Sequence, residues 1–144
     1  SFVGIEGRDD QRRLVQIAPG YGSVSNAGFH SDWPKQRQLM AGLQAQLQQL
    51  NFTDEDLLDL LLDQEVAADH VLPHTGIGLD KERALSAVFV RMSGYGTRAS
   101  TLVRWGANEV RIKERSFDAT GQLGACVTKV CCLANPAIAN LIKP

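Results

Sequence analysis

Tyr95-Gly96-Thr97-Arg98-Ala99-Ser100-Thr101 is the stretch on which the fold of this chain turns. Ser93-Gly94 ahead of it turns the chain, and Ala99 to Trp105 after it reads as a returning strand. Gly106-Ala107-Asn108 then makes a tight connection, and Glu109 to Phe117 alternates as another strand. The stretch therefore opens a β-hairpin, with Arg98 standing where a strand begins. A permanently charged, forked guanidinium at a sheet edge suits a carboxylate or a developing oxyanion. An ion pair with Glu82, Glu109 or Glu114 is the structural alternative.

Toward the C-terminus, Asp118 to Gly121 predicts a turn, and Cys126 to Leu133 a β-branched, cysteine-rich strand. Immediately upstream, Leu85 to Met92, with Val88, Phe89 and Val90, predicts a strong strand. The chain opens with strand patterns over residues 1–7 and Arg13 to Ile17, then a third extended piece from Tyr21 to Asn26. Two helices are predicted between these groups. Asp32 is placed to cap the first and Pro34 to occupy its first turn, with Leu39, Leu43, Leu47 and Leu50 forming one apolar stripe. Thr53 caps the second, where Asp54, Glu55 and Asp56 favour the positive end. From Val66 to Glu82 proline and glycine break the periodicity, which predicts a long ordered loop. Strands, two helices, then strands predict an α+β fold, the helices lying on one face of a largely antiparallel sheet.

Composition narrows the function. The 144 residues suffice for one domain, and a chain of this size buries roughly 68–70% of its unfolded surface. A formal net charge of -1 leaves no basic excess for nucleic acid. No apolar run approaches the ~20 residues of a membrane span, and Asp59 interrupts Leu57 to Leu62. Cys126, Cys131 and Cys132 are odd in number and clustered late, which suits a reducing, cytoplasmic setting better than a disulfide framework. His30, His70 and His74 lie too far upstream to complete a metal set with them. The motifs imply no cofactor.

Few other residues carry chemistry. Asn26, in Val24-Ser25-Asn26-Ala27-Gly28, offers an amide to an oxyanion or, more commonly, secures its own turn. Trp33 either walls a pocket or staples the first helix to the sheet. His70 and His74 read as surface residues, and the acids from Asp54 to Asp63 as a helix start and its solvated edge.

Several segments together resemble one family. Val24-Ser25-Asn26-Ala27, Trp33-Pro34-Lys35, Leu72-Pro73-His74-Thr75-Gly76-Ile77-Gly78-Leu79, Glu82-Arg83-Ala84-Leu85-Ser86 with Val88-Phe89-Val90, Tyr95 to Thr101, and Glu114-Arg115-Ser116-Phe117-Asp118 follow the order seen in the NRDE, or transport and Golgi organisation, proteins. The likeness spans about residues 12–121 and fades before the atypical tail at 124–144. It implies a single partial domain of the N-terminal nucleophile hydrolase type, part of a four-layer αββα sandwich. Such enzymes cleave amides with an N-terminal Cys whose α-amino group, with a pKa near neutrality, serves as base. By resemblance, Asn26 supports the oxyanion and Arg98 is an active-site arginine. Trp33, Tyr95 and Thr97 are carried with them as pocket residues. The family's Met-Cys start and Asn-Arg-Asp-Glu segment have no counterpart in these residues, and Ser1 sits in a segment resembling a mid-chain strand. The resemblance thus implies a chain inactive alone. A non-enzymatic binding or trafficking role, handling a small-molecule, acyl or haem ligand, is the alternative. His74 would then be the candidate axial ligand, and a homodimer would supply the missing packing.

Overall fold

The computed structural model describes residues 2–8, 11–29 and 31–133, so expectations for Ser1, His30 and the end of the tail lie outside the described residues. Strands β1 (Phe2–Arg8) and β2 (Gln11–Ile17) pair antiparallel, Phe2 opposite Ile17. The two-residue strands β3 (Val24–Ser25) and β4 (Gly28–Phe29) form a second hairpin. Helices α1 (Pro34–Leu47) and α2 (Asp54–Asp59) follow, and a 3-10 turn at Leu60–Leu62 extends the second. A second 3-10 turn, Asp69–Val71, precedes α3 (Leu79–Leu85). The short hairpin β5 (Arg91–Met92) and β6 (Tyr95–Gly96) then leads into β7 (Ala99–Trp105), β8 (Glu109–Phe117) and β9 (Leu123–Cys132), a meander in that order. The architecture is mixed α and β, with three helices and small antiparallel sheets among the described residues.

The decisive stretch folds back before it goes forward. Gly94 has a φ of 72°, a conformation open to glycine, and lets Met92 pair with Tyr95. A Cβ on Gly96 would stand 2.7 Å from the Val90 carbonyl oxygen, so only glycine admits this close return. After Thr97 and Arg98, β7 starts.

Three expectations need correction. Among the described residues there are three helices, because Leu79–Leu85 is helical where the sequence predicts a loop to Glu82. The signal was present: Asp80 and Glu82 lie in the first turn and Arg83 in the last, matching the helix dipole. The predicted strand Leu85 to Met92 is instead the end of α3, a bend and the two residues of β5. Its apolar residues are needed for burial rather than for strand pairing. Ala87 and Phe89 are buried, and Phe89 meets Phe117 edge to face at 4.8 Å. An apolar run this short has no periodicity to separate the two cases. Third, Asp32 does not cap α1. Trp33 takes that position, and Asp32 instead pairs with Arg37 at 2.8 Å.

The core is small and sits where α2 meets the meander: Leu57, Leu58, Leu72, Ala87, Phe89 and Phe117. Thr53 caps α2, accepting from the Asp56 N–H at 3.2 Å while Asp56 accepts from the Thr53 N–H at 2.7 Å. Residues paired across β7 and β8 share a face. One face carries Ser100, Arg104, Lys113 and Arg115, and α2 lies over it through charge. Arg115 bonds Glu55 and Asp59, Lys113 bonds Glu55, and Arg104 pairs with Asp54 while stacking 5.2 Å from the Phe52 ring. The opposite face, with Val103, Trp105, Ile112 and Val127, is exposed among the described residues.

Candidate functional site

A cavity of about 400 Å³ opens between the β3–β4 turn, the start of α1, the loop before α3, α3 itself and β6. Asn26, Trp33 and Tyr95 line it together, as do Lys35, Thr75 and Glu82. Each wall is held by local bonding. Ser25 Oγ accepts from the Ala27 N–H at 3.1 Å, so Ser25 rather than Asn26 secures that turn. The Asn26 side chain makes no hydrogen bond among the described residues, which leaves its amide available to the cavity. Buried Gln36 in the first turn of α1 donates to Ser23 at 3.1 Å and accepts from Ser31 at 2.7 Å, tying α1 to the hairpin.

Two wall residues are charged. Lys35 Nζ donates to the Leu85 carbonyl at 3.0 Å and lies 5.5 Å from the Trp33 ring; burial lowers its pKa below the usual lysine value. Glu82 is buried at the base of α3. Its Oε1 accepts from both Thr75 Oγ1, at 2.6 Å, and the Thr75 N–H, at 2.7 Å, and these bonds hold the carboxyl below its ordinary range.

Arg98 is elsewhere. It is exposed and borders a hollow of about 80 Å³ with Thr97, Asp118 and again Tyr95. Thr97 is engaged there, its hydroxyl accepting from the Val90 N–H at 3.0 Å. Arg98 forms no ion pair with Glu82, Glu109 or Glu114; its charge contributes to lowering the pKa of Asp118, which the Thr120 hydroxyl lowers most. The structure thus brings Asn26, Trp33 and Tyr95 together and keeps Arg98 and Thr97 in the neighbouring hollow, Tyr95 being common to both.

A second cavity of about 440 Å³ adjoins the first through Asn26 and Lys35 and is walled by Leu39, Met40, Leu43, Leu61 and Val88. Cys126, Cys131 and Cys132 are exposed on β9 and line neither cavity. His74 is exposed in its loop and borders neither cavity. Among the described residues no three His, Cys, Asp or Glu side chains gather as metal ligands, and no helix is long and apolar enough to cross a membrane.

The sequence profile of the family described as Transport and Golgi organisation 2 matches residues 4–119. The chain belongs to that family. No curated protein and no solved structure matches it significantly. In this Transport and Golgi organisation 2 member, five family-like segments converge on the 400 Å³ cavity: Ser25-Asn26-Ala27, Trp33-Pro34-Lys35, Leu72 to Leu79, Glu82 to Ser86 with Val90, and Tyr95 to Thr101. Lys35, Thr75 and Glu82 lay inside those segments, but no spacing rule marks a lysine, threonine and glutamate on three separate elements as one site.

Proposed function

We propose that this domain binds a small molecule in the cavity lined by Asn26, Trp33 and Tyr95, using a hydrolase-derived pocket without the nucleophile that would make it cleave. The convergence of five separated segments on one cavity carries this reading, since cavities of 300–1,000 Å³ with a few placed polar groups are the usual small-molecule sites. The position of all three thiols on β9, away from the cavity, supports the lack of a cysteine nucleophile in this chain. Where a nucleophile is present, Asn26 would donate to the oxyanion and Arg98, from the adjoining hollow, would supply positive charge.

Assays separate the two roles. Incubation with chromogenic esters and anilides should give no release above the blank, while Trp33 fluorescence should respond saturably to a ligand. Turnover that Arg98→Ala abolishes would establish the catalytic role in this chain instead.

The same reading extends to architecture and setting. A four-layer sandwich needs two sheets face to face, and the apolar outer face of β7, β8 and β9 suits such packing. Glu114 and Lys129 are the ionised residues on that face by register, one of each sign, so two copies related by a two-fold axis would be self-complementary in a homodimer. Sedimentation at rising concentration should show the dimer, and Val103→Glu should abolish it. The exposed thiols suit a reducing, cytoplasmic compartment.

A further inference from the structure

The two charged walls of the cavity, Lys35 and Glu82, are of opposite sign and do not neutralise each other. Both hydrogen bonds to Glu82 end on Oε1, leaving Oε2 without a hydrogen-bond partner or a cation within 4 Å among the described residues. Glu82 is nonetheless only 7% exposed. Lys35 uses one donor on the Leu85 carbonyl and has no carboxylate within 4 Å among the described residues. A half-buried ammonium with donors to spare and a carboxylate oxygen not engaged by Thr75 thus stand on one cavity, each able to take a charged partner from a ligand.

We infer that the cavity accepts a zwitterion, a free amino acid whose ammonium meets Glu82 Oε2 and whose carboxylate meets Lys35 Nζ. A simple anion would satisfy Lys35 but face the uncommitted oxygen of Glu82. A simple cation would do the reverse. Only a ligand carrying both charges completes both walls, and charge-assisted hydrogen bonds are the strong ones. Trp33, Ile77 and Val90 line the same cavity and give an apolar or aromatic side chain a surface to cover. The ligand class rests on the cavity being the binding site proposed above.

Calorimetric titration of the unmodified chain with L-phenylalanine, L-phenylalaninamide and N-acetyl-L-phenylalanine tests it. The amide lacks the carboxylate and the acetyl derivative lacks the ammonium. Saturable binding of phenylalanine, with each blocked form at least tenfold weaker, is the expected result. Equal affinity for all three overturns the zwitterion while leaving the cavity as a ligand site. Saturation by none of them overturns both. Glu82→Gln keeps an acceptor for Thr75 and should weaken phenylalanine but not its acetyl derivative. Lys35→Met should weaken phenylalanine but not the amide. Folded variants, checked by circular dichroism, that bind phenylalanine as the unmodified chain does would also overturn it.

Discussion

Two lysines in two regions of this molecule differ in the company they keep. Lys113, on β8, bonds Glu55 of α2, and that bond raises its pKa. Lys35, at the start of α1, has a carbonyl and an aromatic ring for neighbours, and burial lowers its pKa. The first belongs to a clamp in which Arg115, Lys113 and Arg104 meet Glu55, Asp59 and Asp54. Its charges answer one another and hold a helix to a sheet. The second stands on a cavity wall where the opposite charge, Glu82, is held apart. Paired charges inside a fold are structural; charges kept apart on one cavity are open to a ligand.

The comparison breaks most severely beneath the clamp. Leu58 is fully buried where α2 meets the meander, so Leu58→Ala should cost about 2–5 kcal/mol, read from denaturant unfolding. Arg115→Met comes next. It leaves Asp59 without its cation and Glu55 with Lys113 alone, and should lower the melting temperature, with part of the difference lost at high salt because Glu55 is half exposed. Lys35→Met should act in the other direction, leaving the melting temperature unchanged or raised. A lysine whose folded pKa is lowered costs stability at neutral pH, and that cost fades as pH rises toward its ordinary 10.5. Equal losses from the two substitutions would erase the distinction between clamp and cavity.

Acid sharpens it further. The Lys113 and Arg115 bonds lower the Glu55 pKa below its ordinary 4.5. A depressed carboxylate stabilises the fold above its unfolded pKa and loses that contribution as pH falls through the folded value. Thermal melts should therefore be flat above about pH 5 and fall below it, less steeply in Glu55→Gln. The smallest effect should come from Asn26→Ala and Arg98→Ala. Both side chains are exposed and make no hydrogen bond among the described residues, so stability should stay within about 0.5 kcal/mol while ligand affinity responds to Asn26.

The local pattern of the chain determined much of this protein. The Ser93-Gly94 turn, the β7–β8 hairpin, the capping of α2 by Thr53 and the placing of Pro34 in the first turn of α1 all follow from short-range chemistry. The family-like blocks marked Asn26, Trp33 and Tyr95, which share a cavity wall. Tertiary structure decided the rest. It bent Ala87 to Phe89 into the core, because burial against Phe117 satisfies an apolar run without a strand partner. It also set Lys35 and Glu82 on one cavity without pairing them. Those residues are 47 positions apart on different helices, and no periodicity in sequence encodes a distance between elements that only packing brings together.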